Sequence, residues 1–108
     1  MAVYLIIEAK LKDRQKYTQY MSAFSDIISN YGGRCLVQGG RILQLDEDIN
    51  LERRRLDRRQ PERMVILEFP SEVNIRRCFS SPEYQSITSL RHAGAHTRTV
   101  LLDGLKFD

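Results

Sequence analysis

A chain of 108 residues, 42% hydrophobic and 29% charged, has the composition of one ordinary globular domain. No apolar run approaches the roughly 20 residues of a membrane span, and Ala2–Ile7 follows no basic residue and meets Glu8 at once, which predicts a cytoplasmic protein without a signal peptide. The net charge of +3 is local, because residues 52–63 hold six arginines against three acids and the rest of the chain sums to zero.

Val3, Leu5, Ile7 and Ala9 alternate with Tyr4, Ile6, Glu8 and Lys10, which predicts a strand with two unlike faces. Asp13 can then cap a helix. Its apolar stripe is Tyr17, Tyr20, Met21, Phe24, Ile27, Ile28 and Tyr31, at the spacing of an amphipathic helix. Two glycine pairs follow in "YGGRCLVQGGR", residues 31–41. Gly32 stands where a helix commonly ends on positive φ, Arg34–Gln38 reads as a short strand, and Gly39-Gly40 as a hairpin breaker before extended chain at Arg41–Leu45. A phosphate loop runs from a strand into a helix N-terminus, whereas these glycines follow a helix and precede none. They are joints.

Residues 46–62 read as an arginine-rich loop or insertion, or as a short helix stopped by Pro61. Met64–Phe69 is a strand with Val65, Leu67 and Phe69 on one face and Met64, Ile66 and Glu68 on the other. Ser71 caps a short helix with Val73 and Phe79 inward. Ser81 caps a second, with Pro82 at its first position and an inner stripe of Tyr84, Ile87 and Leu90. Thr97–Asp103 is the last strand, ended by Gly104. The order β-α-β-β-α-β is the split βαβ, ferredoxin-like arrangement in one α+β domain spanning residues 1–108.

"YGGRCLVQGGR", "PERMVILEFPS" and "FSSPEYQSITSLR", in that order, resemble the domain-of-unknown-function family 1330, which is similar to the larger group of dimeric α+β barrels. The resemblance runs from Tyr4 to Leu105. It departs between Asp46 and Arg59, where the family's segment is shorter and poorer in arginine. The resemblance implies a four-stranded antiparallel sheet with helices on one face, and two such sheets meeting by their open faces in a homodimer. It implies no one activity, since related barrels include small monooxygenases, lactone isomerases and haem-handling enzymes.

In a split βαβ sheet the first and third strands are central neighbours. The more apolar parity faces the helices, and the other points Tyr4, Ile6, Glu8, Met64, Ile66 and Glu68 toward the barrel. Glu8 and Glu68 then project into one partly closed space, where like charge and desolvation raise a carboxylate pKa toward general-base use. The alternative is that each carboxylate pairs with an arginine such as Arg34. Arg34 and Arg41, each following a glycine pair, are candidates to hold an anionic substrate, with Tyr4 beside them.

His92 and His96 lack a third ligand, and Cys35 and Cys78 lack metal or disulfide spacing, so no metal or organic cofactor is called for. The arginine run is interrupted by acids and carries no interleaved aromatics, which argues against nucleic acid. The sequence thus predicts a homodimer binding a small organic anion in a barrel or sheet–helix cleft, with proton transfer by Glu68 or Glu8. The alternative is a non-catalytic module that meets a partner protein or RNA through residues 46–62.

Overall fold

A computed structural model describes residues 2–39 and 63–105. Their elements run β1 (Val3–Leu11), α1 (Arg14–Asn30), β2 (Arg34–Gly39), β3 (Arg63–Phe69), α2 (Glu72–Ser80), α3 (Pro82–Gln85), α4 (Thr88–Gly94) and β4 (Ala95–Asp103). The four strands form one antiparallel sheet in the order β2-β3-β1-β4. Arg41–Leu45 and the arginine-rich residues 46–62 lie outside the described residues. Among the described residues, no helix is long and apolar enough to cross a membrane.

The predicted parity decides the packing. Val3, Leu5, Ile7 and Ala9 of β1, with Val65, Leu67 and Phe69 of β3, are buried together with Tyr17, Tyr20, Met21, Phe24, Ile27 and Ile28 of α1. Alternation on the strands and a helical stripe on α1 therefore meet in one core. Phe24 sits at its centre, with its ring centroid 5.3 Å from Tyr20, 5.6 Å from Tyr84 and 5.8 Å from Phe79. The hydroxyls of Tyr20 and Tyr84 satisfy each other at 3.1 Å inside this core.

The caps follow the sequence. The Asp13 carboxylate accepts from Lys16 N–H at 3.1 Å, Ser71 Oγ accepts from Asn74 N–H at 3.4 Å, and Ser81 Oγ accepts from Tyr84 N–H at 3.1 Å. Two details differ from expectation. Val73 is exposed on α2, and Ile75 and Cys78 are buried in its place, with Phe79 half-buried against the core. Val73 and Ile75 are two apart and so lie on different sides of a helix; packing against the sheet selected the second. The predicted last helix is two, broken at Ser86 and Ile87, although Tyr84 and Ile87 are still buried.

The end of α1 is closed by the first glycine pair. Gly33 N–H donates to Ile28 C=O at 2.8 Å and Gly32 N–H to Ser29 C=O at 3.3 Å, the paired bonds of a Schellman cap. Gly32 has a φ of +80°. Gly33 is needed for space: a Cβ there would lie 2.6 Å from Cε1 of the fully buried Phe69 ring.

Both glycines should therefore resist alanine, for different reasons. Gly32→Ala is expected to cost about 1 kcal/mol through the left-handed backbone. Gly33→Ala is expected to cost about 1–3 kcal/mol through overpacking of Phe69. Urea denaturation of both variants checks this, and an unchanged midpoint for Gly33→Ala would refute the close approach.

Candidate functional site

Residues paired across an antiparallel sheet share a face, so register converts the outward parity into rows. The first row places Arg34, Glu68, Tyr4 and Leu102 on neighbouring strands. The second is Val37, Ile66, Ile6 and Val100, apolar across all four strands. The third is Gly39, Met64, Glu8 and Arg98. None of these side chains lies under a helix: Val37 is 45% exposed, Val100 43% and Leu102 48%.

The first row is a built polar cluster. Arg34 Nε donates to Glu68 Oε1 at 2.6 Å. The Tyr4 hydroxyl also hydrogen-bonds Glu68. Both bonds favour the ionised carboxylate, Arg34 more than Tyr4, and hold Glu68 below the usual carboxylate range against a smaller opposing effect of burial. The same contact pushes the Tyr4 phenol up, since its proton is engaged by an anion. Arg34 meets Glu68 only through Nε among the described contacts, and its side chain is 70% exposed. Its terminal nitrogens are thus turned to solvent, in a geometry suited to a carboxylate.

The structure brings Tyr4, Arg34 and Glu68 together and leaves Glu8 apart. Glu68 is opposite Tyr4 and Glu8 is opposite Met64, four residues along β1. At about 3.3 Å per residue that is about 13 Å along the strand. The carboxylates share a face but not one space, and Glu68 shifts opposite to the expected rise because Arg34 is its neighbour. Arg41 lies outside the described residues. His92 and His96 are both exposed, and no group of three metal-ligating side chains occurs among the described residues.

The contributions of the edge strands, Val37, Val100 and Leu102, were missed by sequence reasoning. In β4 the run Val100-Leu101-Leu102 is apolar at every position, so alternation gives no signal there. Only its pairing with β1 assigns Val100 and Leu102 outward and Leu101 to the helix side.

Residues 2–105 match the family described as Domain of unknown function (DUF1330). No curated protein matches the sequence. Among solved structures, a protein of unknown function from Rhodopseudomonas palustris is similar at 17% identity and a TM-score of 0.75, over 97% of this chain and 83% of that one. A dimeric ferredoxin-like protein of unknown function from Thermobifida fusca matches at 12% identity and 0.63, over 94% and 90%. SnoaB, a cofactor-independent oxygenase from Streptomyces nogalater, matches at 9% identity and 0.64, over 98% and 95%. At such identities these likenesses show the α+β, ferredoxin-like fold.

The electrostatics of the first row predict a pH response. Glu68 has a lower pKa folded than unfolded, so its pairing stabilises the protein fully above the unfolded value of about 4.3 and ceases to do so as pH falls through the folded value. Carboxyl-carbon NMR is expected to show Glu68 titrating below the ordinary range, and Arg34→Ala should move it upward. A Glu68 that titrates normally in both proteins would show that the pair does not form in solution.

Proposed function

We propose, from the premise that this chain belongs to the family described as Domain of unknown function (DUF1330), that it works as a cytoplasmic homodimer holding a small organic anion between its sheet faces. The observation that carries the reading is the second row. Val37, Ile66, Ile6 and Val100 form an apolar band across every strand, on a face that the chain's own helices leave open. A contiguous apolar face of this kind is stable in water when something covers it, and a second copy offers a matching band by symmetry. The Thermobifida fusca protein of similar fold is dimeric, which supports a homodimer here. Free Cys35 and Cys78 suit a reducing compartment.

The band is bordered by the cluster of Arg34, Glu68 and Tyr4. In the proposed dimer this border is where a ligand carboxylate meets the terminal nitrogens of Arg34, while Glu68 fixes the guanidinium through Nε. Glu68 is then an orienting carboxylate, ionised at neutral pH and a weak base. Should the bound molecule also undergo proton transfer, Glu8, which makes no ion pair among the described residues, is the candidate base. SnoaB, a cofactor-independent oxygenase of similar fold, supports the view that this fold can house chemistry without a cofactor.

Two measurements test this. Sedimentation is expected to show a dimer at micromolar concentration, and Ile66→Lys, which sets an unpaired charge in the band, should weaken association about 100-fold or more while the protomer stays folded. A compact, stable wild-type monomer would refute the dimer. Native mass spectrometry of freshly purified protein should show the dimer carrying a small anion that Arg34→Gln loses.

A further inference from the structure

Strand β2 is irregular beside the Arg34 cluster. Its pairing with β3 sets Arg34 opposite Glu68 and Cys35 opposite Leu67, then passes over Leu36 and sets Val37 opposite Ile66. This is a β-bulge, one extra residue in one strand of an antiparallel pair. Strict alternation would put Val37, three residues from Arg34, on the helix side of the sheet with Cys35. The inserted residue reverses that parity and returns Val37 to the face of Arg34. No residue of β2 is buried, and Val37 is 45% exposed, so the core makes no use of it. The bulge thus brings an apolar side chain beside a guanidinium, on a strand at the edge of the sheet.

The cluster itself limits the charge that it accepts. Glu68 takes Nε of Arg34 and leaves the two Nη atoms as an edge that fits a second carboxylate. The guanidinium holds Glu68 ionised at neutral pH, so the pair is neutral as a whole. One added negative charge meets the guanidinium, and a second has no cation left to meet. Among the described residues, the other cations on this face are Arg98, level with Glu8, and Lys10. They lie four and six residues along β1 from Tyr4, which is about 13 Å or more. What adjoins Arg34 along the strands is apolar: Val37 with Ile66, about 7 Å from the row of Glu68.

We propose, resting on the reading that this face holds a small organic anion, that the ligand is a monocarboxylate with an apolar body. Its carboxylate accepts from both Nη atoms of Arg34, and its body lies over Val37 and Ile66. Glu68 orients the guanidinium and disfavours dianions, and the bulge supplies the apolar contact on β2. The spacing of the two rows suits a chain of about six carbons.

Hexanoate titrated into isotope-labelled full-length protein tests the proposal. Acetate serves as the head alone, hexanol as the body alone, and adipate as the same chain with a second carboxylate. The expected result is saturable NMR shifts at Arg34, Val37 and Ile66, with hexanoate bound about tenfold or more tighter than the other three. Arg34→Gln should weaken hexanoate about tenfold or more. Val37→Asn should narrow the gap between hexanoate and acetate about fivefold, and Val37→Thr, which keeps the branched shape of the side chain, should narrow it in the same direction. Acetate or adipate bound at Arg34 as tightly as hexanoate would overturn the apolar monocarboxylate and leave the anion site standing. A gap unchanged in both Val37 variants would overturn the role of the bulge. Hexanoate binding unmoved by Arg34→Gln, or no saturable binding of any of the four compounds, would overturn the anion site and the ligand class together.

Discussion

With Phe24, Leu67 and Phe69 all withdrawn from water, α1 is clamped across β1 and β3, and that clamp settles which residues of the sheet are left facing outward. A strand has period two, so committing Val65, Leu67 and Phe69 to the helices commits Met64, Ile66 and Glu68 to the other side. A slip of one residue would bury Glu68 and expose Phe69. The register is therefore held by the cost of that exchange, and the outward rows inherit its precision. The apolar band and the polar cluster both follow from the way the core is packed.

The first glycine pair belongs to the same logic. Its Schellman bonds end α1 and turn the chain so that Arg34 begins β2 directly opposite Glu68. Gly33 lies against the Phe69 ring, next in sequence to Glu68, so the joint that places the guanidinium touches the residue beside its carboxylate. Positioning by a cap and a packed ring is stiffer than positioning by a free loop. That stiffness suits Glu68 to fixing Arg34. The same closeness makes Glu68 a poor proton acceptor, because the cation that it orients also stabilises its charge.

Much of this was legible in the residues, and the failures share a cause. Seven apolar residues at helical spacing specify α1, and strict alternation specifies β1 and β3, because each pattern extends over enough turns or pairs to admit one reading. Asp13, Ser71 and Ser81 announce their helices through the chemistry of a side-chain oxygen next to unpaired N–H groups. On the nine-residue α2, by contrast, Val73 and Ile75 offer two competing faces, and only the sheet decides between them. Glu8 and Glu68 show the same limit in another form. Parity put both on one face, but their separation depends on which residues pair, and pairing is a property of two strands at once. Tyr17 was legible as core. Nothing in its spacing tells whether its hydroxyl meets a partner, as the hydroxyl of Tyr20 does.

The sheet therefore acts as a partition between two kinds of surface. On the open side the polar groups partner one another: Arg34 and Tyr4 both serve Glu68, and the cluster is close to self-sufficient before any ligand arrives. A ligand there must work through the unused nitrogens of Arg34, in water or under a second copy. On the helix side the Tyr17 hydroxyl is already dehydrated by the core and has no partner of its own. Strand β3 joins the two sides, with Val65 in the core and Ile66 in the apolar band as consecutive residues. The core that presents one surface thus also fixes the other.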